Sequence, residues 1–101
     1  MDFNLIRLLR TVSSERFVLQ TAQGQDAAAV DLHYARDGRV AGTVFVFDDG
    51  GITDEMIPDL LQYLDEVLLP DVSLDEQNLS FTVVRGRVIG DFTPEVEDTS
   101  A

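Results

Sequence analysis

The chain contains no cysteine and no lysine, and His33 is its single histidine. The absence of Cys excludes disulfide bonds, thiolate metal sites and cysteine nucleophiles. No apolar run approaches the roughly 20 residues that a membrane-spanning helix needs. Arg7 and Arg10 interrupt the first apolar segment, which is atypical of a secretory signal. We therefore expect a soluble, cytoplasmic protein with no membrane partner.

Negative charge dominates what is present. The 101 residues carry 19 acidic side chains against 7 arginines, a formal net charge of −12. The acidic residues are concentrated between Val40 and Val84, where no basic residue occurs. A field of this sign repels nucleic acid and anionic membranes and attracts basic partners. A surface made acidic for solubility, or for adaptation to salt, is the alternative explanation.

The longest periodic segment covers residues 53–69. Its apolar residues recur at steps of three and four, which is typical of one face of an α-helix. These residues are Met56, Ile57, Leu60, Leu61, Leu64, Val67 and Leu68. We expect Thr53 to cap the helix and Pro70 to end it, while Pro58 either bends the helix or marks where regular helix begins.

The chain before this helix is predicted to form one helix and three strands. Leu5, Leu8, Leu9 and Val12 share the face of a first helix capped by Asp2, with an edge strand as the alternative. Strands are predicted over residues 16–21, 28–35 and 40–47. The last two are joined around Asp37-Gly38, a dipeptide that favours a hairpin because both residues tolerate positive φ.

The length of this hairpin loop decides which residues share a face. A two-residue loop puts Val40, Val44 and Val46 on the face of Asp31 and His33. A three-residue loop, residues 36–38, gathers the same valines with Val30, Leu32 and Tyr34, and puts Phe45 and Phe47 with Asp31 and His33. A slip of one residue exchanges the two faces, and both registers stay open.

In either register the second face of the sheet carries large apolar groups. An uncovered apolar patch on a sheet is typical of an interface, unless the first helix covers it. We therefore name Val40, Val44 and Val46 as candidate self-association residues, which implies a homodimer.

The segment 79–92 is predicted to fold into a hairpin at Arg85-Gly86. This arrangement places its apolar residues on one side, namely Leu79, Phe81, Val83, Val88 and Phe92. The expected fold is α+β, with an antiparallel sheet of about five strands, the order α-β-β-β-α-β-β and the main helix packed on one face. Residues 1–92 would form a single domain, and residues 93–101 an acidic, disordered tail.

The chemical motifs are weak. Asp31 and His33 share a strand face and could orient a general base, but residues two apart on a strand lie about 7 Å apart at Cα. Asp71-x-Ser73-x-Asp75 imitates the start of a calcium loop but lacks the glycine and the bidentate glutamate at the required spacings. We predict no catalytic residues, no metal site and no cofactor.

Two resemblances to known families are visible. The first resemblance is to the two short signatures of Sm-like RNA-binding proteins, and it is carried by Asp37-Gly38-Arg39 with Gly42-Thr43 and by Val84-Arg85-Gly86. The spacing from Gly38 to Gly42 is one residue shorter than in the Sm-like signature. RNA binding would also conflict with the acidic middle of the chain. The predicted element order and the acidity are similar to small type III secretion chaperones, which implies a dimer that wraps partner segments.

The sequence therefore predicts a non-enzymatic, acidic protein–protein interaction module of inhibitor, immunity or chaperone type. A basic partner protein would bind the exposed helix face through Asp54, Glu55, Asp59, Asp65 and Glu66. One alternative is a small enzyme or ligand-binding domain that uses Asp31 and His33. The other alternative is an inhibitor whose spaced carboxylates mimic nucleic acid. The chain itself is not expected to bind nucleic acid.

Overall fold

The computed structural model describes residues 3–68 and 79–94 of the chain. They form a five-stranded sheet, one α-helix and a short 3-10 helix. The strands are β1 (Phe3–Arg10), β2 (Ser14–Thr21), β3 (Asp26–Tyr34), β4 (Val40–Phe47) and β5 (Leu79–Gly86). The helices are the 3-10 helix Asp54–Met56 and the α-helix α1, Ile57–Leu68. The predicted α+β class is confirmed, and the three strands predicted before the main helix correspond to β2, β3 and β4.

The sheet is mixed, with the strands in the order β1-β2-β3-β4-β5. The first four strands form an antiparallel meander, whereas β5 lies parallel to β4. The connection through α1 returns the chain to the beginning of β4, so that Val40 pairs with Leu79 and Phe47 with Gly86. The prediction of an antiparallel sheet is wrong because this crossover brings the last strand back in the same direction as β4.

The hairpin predicted at Arg85-Gly86 is also wrong. Gly86 is the last residue of β5, and its carbonyl accepts a hydrogen bond from the Asp48 amide at 2.8 Å. The chain then leaves the sheet, and residues 87–94 are exposed and form no strand. Val88 and Phe92 therefore do not join Leu79 on a common sheet face, contrary to the prediction.

The first predicted helix is an edge strand, which was the alternative. β1 pairs with β2 in antiparallel register, with a bulge between Arg7 and Leu9. Before the bulge Leu5 pairs with Leu19, and after it Arg10 pairs with Glu15. The inserted residue interrupts the two-residue alternation that marks a strand, which explains why the apolar spacing suggested a helix. The similarity to type III secretion chaperones rested on the predicted element order and on the acidity, and the structure contradicts the element order.

The β3–β4 hairpin has the three-residue loop. Tyr34 pairs with Val40, and the Ala35 amide donates to the Arg39 carbonyl at 2.8 Å, so residues 36–38 form the loop. Gly38 has φ +88°, a value that a glycine adopts without steric cost. This register decides the two faces of the sheet.

The core lies between α1 and one sheet face. The buried apolar residues on this face are Phe17, Leu19, Ala28, Val30, Leu32, Val40, Val44, Val46 and Leu79. Leu60 and Leu64 of α1 are fully buried against them, as predicted. Val67 is 50% exposed, so its predicted place in the core is wrong. Pro58 lies in the first turn of α1, where its missing amide removes no helical hydrogen bond.

The parallel β4–β5 pair contains one close approach. Gly42 of β4 pairs with Phe81 of β5 on the core side. A Cβ at position 42 would lie 2.5 Å from two carbons of the Phe81 ring and 3.2 Å from Leu32. Only a glycine leaves room for the ring in this position.

Some expectations concern residues outside the described ranges. They are the end of the main helix at Pro70, the resemblance of residues 71–75 to a calcium loop, and the acidic tail beyond residue 94. The predicted domain boundaries, residues 1–92 and 93–101, therefore stay a prediction. The helices within residues 3–68 and 79–94 lack the length and apolar character needed to cross a bilayer.

Candidate interaction surfaces

The solvent-facing side of the main helix carries the predicted acidic residues. Glu55, Asp59 and Glu66 are exposed, and the Asp54 side chain is 88% exposed. The Arg85 guanidinium contacts Asp54 at 2.8 Å, and the Gln62 amide donates to Glu66 at 2.9 Å. Asp65 is only partly exposed, and its Oδ1 is buried with no hydrogen-bond partner among the described residues.

Most described ion pairs lie on the sheet or in its turns. Arg16 pairs with Asp31 on the sheet, and Arg39 pairs with Asp37 in a turn. Within the described ranges, Asp54 is the one acidic residue of the predicted helix site that forms an ion pair. Negative charge is therefore left uncompensated on the helix side of the molecule, where it sets up a field that reaches into solvent.

A buried carboxylate joins three strands near the β1 edge. Glu15 is 6% exposed, and its Oε1 lies 3.1 Å from Arg7 Nη2 and 3.4 Å from Arg10 Nη1. The Tyr34 hydroxyl donates a hydrogen bond to Oε2 of the same carboxylate. Burial, and then this bond to the carboxylate, raise the pKa of Tyr34 to about 12.

Sequence reasoning missed this cluster because it predicted a helix where β1 lies, and a helix does not pair Arg7 and Arg10 with β2. Side chains of β1 and β3 contact Glu15 of β2 in this cluster, so that it links the three strands. Two guanidinium groups lie within ion-pair distance of Oε1, which accepts no hydrogen bond from the described residues, and the Tyr34 hydroxyl donates to Oε2. Because all of these contacts come from side chains of the sheet itself, the arrangement favours a structural role.

Asp31 and His33 lie on the other sheet face, but they do not form a hydrogen-bonded pair. Arg16 donates to both carboxylate oxygens of Asp31, from Nε at 2.7 Å and from Nη2 at 3.2 Å. These bonds also raise the pKa of Arg16. His33 is exposed beside a surface cleft of about 320 Å³ that Tyr34 and Ser80 also line. With Asp31 held by Arg16, this geometry does not support an Asp–His dyad.

We call the sheet face opposite α1 the open face, because no described element packs across it. Its apolar residues are Ile6, Leu9, Val18, Ala29, Ala41, Phe45, Phe47 and Val84. Val18 is buried, with 7% of its surface exposed. The rings of Phe45 and Phe47 are 5.4 Å apart between centroids and are tilted by 51°. Both rings are partly exposed, so the open face presents aromatic surface to solvent.

The residues predicted to mediate self-association do not lie on the open face. Val40, Val44 and Val46 have exposures of 4%, 0% and 0%, because the three-residue hairpin loop turns them toward α1. They are core residues and cannot form a contact between copies. The same register places Phe45 and Phe47 on the open face with Asp31 and His33, as the second alternative stated.

We call residues 87–94 the arm. The arm follows β5, and all of its residues are exposed. Its large apolar side chains Val88, Ile89 and Phe92 are 56%, 91% and 87% exposed. Where the arm begins, Arg87 and Val88 line a cleft of about 660 Å³ with Phe47 of the open face.

Comparison of the chain with protein-family models, with curated proteins and with solved structures gives no match. The resemblances to Sm-like proteins and to type III secretion chaperones thus gain no support from these comparisons. Within the described residues, no three His, Cys, Asp or Glu side chains are grouped as metal ligands.

Proposed function

We propose that this protein is a non-enzymatic interaction module that binds a basic partner protein through the acidic face of its main helix. The observation that supports the proposal is the separation of charge. The arginines of β1 and β2 are engaged by Glu15 and Asp31, while Glu55, Asp59 and Glu66 face solvent without an ion pair in the described part of the chain.

The helix can present these charges in a fixed arrangement. Leu60 and Leu64 are fully buried on the opposite side, which anchors α1 to the sheet. Asp59 and Glu66 are seven residues apart, a rise of about 10 Å along the helix axis. A basic segment of a partner would meet carboxylates whose positions need little reordering on binding.

Electrostatic attraction of this kind has a recognisable dependence on salt. The attraction acts over a long distance and so increases the rate of association. It weakens as added salt shortens the Debye length. An inhibitor, an immunity protein and a chaperone-like protein would each use such a surface, and the identity of the partner decides among them.

The first experiment is capture of partners on the immobilised chain at about 50 mM and about 500 mM salt, a range over which screening changes strongly. The dissociation constant of each purified partner is then measured for a triple variant, Glu55→Gln with Asp59→Asn and Glu66→Gln. Three rim charges of this kind are expected to weaken binding about tenfold at low salt.

The matched control neutralises three exposed acidic residues away from the helix, with Asp26→Asn, Asp48→Asn and Asp49→Asn. It changes the net charge by the same amount, so it separates a binding face from general acidity. An equal loss of affinity in both variants, or binding that does not change with salt, would contradict the proposal. The cytoplasmic location, the ligand-binding alternative at His33 and the nucleic-acid-mimic alternative stay predictions.

A further inference from the structure

Two apolar features of the chain lie uncovered near the same end of the sheet. One is the open face, with the rings of Phe45 and Phe47. The other is the arm, in which Ile89 and Phe92 have almost no contact with the rest of the protein. Solvent-exposed apolar surface on both features is typical of an interface that is unoccupied in the single chain.

The base of the arm lies beside Phe47 of its own open face, while Ile89 and Phe92 further along lie in solvent. The Gly86 carbonyl accepts the Asp48 amide and Gly86 pairs with Phe47, so this glycine continues the strand and does not form a turn. Val88 and Ile89 follow, and β-branched residues favour extended chain over a reversal. The next glycine is Gly90, beyond which only one large apolar side chain, Phe92, remains within the arm.

We propose that the protein forms a symmetric dimer in which the arm of each copy packs on the open face of the other. A two-fold arrangement uses each arm and each face once and leaves neither exposed. Eight extended residues reach about 26 Å. Five strands at about 4.8 Å spacing are about 19 Å wide, so one arm is long enough to cross the partner's sheet.

Local charge is compatible with this contact despite the net charge of −12. The arm contains one basic and one acidic residue, Arg87 and Asp91. On the open face, Arg16 and Asp31 neutralise each other. The two surfaces that meet are therefore nearly neutral, while the acidic side of α1 faces away from the contact.

The dimer is independent of the proposed binding of a basic partner, because the two surfaces lie on opposite sides of the sheet. Salt distinguishes them: screening the repulsion between two acidic copies favours the dimer, whereas it weakens binding of a basic partner. If the protein binds a basic partner but does not dimerise, the dimer proposal has failed. If it dimerises but binds no basic partner, the proposed function has failed.

The test is sedimentation equilibrium of the full chain, from about 1 µM to about 1 mM, a range that covers weak and moderate self-association. The arm variant is Ile89→Asp with Phe92→Asp. We expect the wild type to dimerise and the arm variant to have a dimer dissociation constant raised at least about a hundredfold.

The matched control is Val12→Asp, because Val12 is also a fully exposed apolar residue but lies in the turn between β1 and β2. This variant should dimerise like the wild type. Circular dichroism checks that each variant is folded. A wild type that stays monomeric, or an arm variant that dimerises normally, would overturn the proposal.

The absence of native cysteine allows a second test of which copy supplies the arm. Isotope-labelled protein with Ile89→Cys is mixed with unlabelled protein carrying Val84→Cys, and mixed disulfides are counted by mass. We expect the mixed disulfide in excess of that formed when Val12→Cys replaces Val84→Cys. An equal yield of both mixed disulfides would contradict the exchange of arms.

Discussion

Replacing Gly42 by alanine tests the parallel pairing of β4 with β5. The new methyl group would lie 2.5 Å from two carbons of the Phe81 ring, against an ordinary contact of about 3.5–4.0 Å. The ring would have to move by about 1 Å within a packed interface, and overpacking of this kind costs about 1–3 kcal/mol. Stiffening of the unfolded chain by Gly→Ala returns about 0.4–1 kcal/mol.

The expected net effect is a loss of about 1–2 kcal/mol in the free energy of unfolding. For a domain of this size it corresponds to a melting temperature lower by about 5–15 °C. Urea denaturation followed by circular dichroism, at one fixed protein concentration, measures the loss directly.

A double variant makes the test specific for the contact. Phe81→Leu removes the ring, so Gly42→Ala should cost at least about 1 kcal/mol less in that background than in the wild type. Gly90→Ala is the control, because its Cβ would meet only Phe92, at 3.4 Å, and its effect should stay within about 0.5 kcal/mol. Strictly additive effects of Gly42→Ala and Phe81→Leu would show that the two residues are not neighbours and would refute the parallel register.

Two further predictions follow from burial and hydrogen bonding. Leu64→Ala removes a fully buried side chain and should lower the free energy of unfolding by about 3 kcal/mol. Val67→Ala, at a half-exposed position, should change it by less than about 0.5 kcal/mol. Equal effects of the two substitutions in urea denaturation would contradict the orientation of α1. The pKa of Tyr34 is raised to about 12 from 10.0, so the folded state retains a proton that the unfolded chain releases first. The stabilising contribution of Tyr34 is therefore complete below pH 10 and is lost between pH 10 and about 12. Tyrosinate absorbance in a Tyr63→Phe background should show this late titration, and Glu15→Gln should shift it to lower pH; an ordinary titration would contradict the contact with Glu15.

The sequence determined those elements whose own side chains specify them. The apolar spacing of residues 53–69 predicted α1 and the burial of Leu60 and Leu64. The Asp37-Gly38 signal predicted the β3–β4 hairpin and limited its register to two choices. These features depend on local turn chemistry and on regular periodicity, both of which can be read from neighbouring residues.

The acidic helix surface was also visible in the sequence. Once α1 is assigned, its apolar stripe identifies the opposite side as solvent-exposed, which places Asp59 and Glu66 there. The Glu15 cluster could not be predicted in the same way. Arg10, Glu15 and Tyr34 come from three strands, and only the pairing of those strands brings the three side chains together.

Only the tertiary structure decided the direction of β5, the strand conformation of β1 and the fate of the segment after Gly86. A short apolar run such as Phe3–Arg10 can form a helix or a strand, and the free edge of β2 selects the strand. β5 runs parallel because α1, packed on the sheet, carries the chain back to the beginning of β4. These outcomes depend on which surfaces remain available after the core has formed, and the residues of one segment cannot specify surfaces that belong to others.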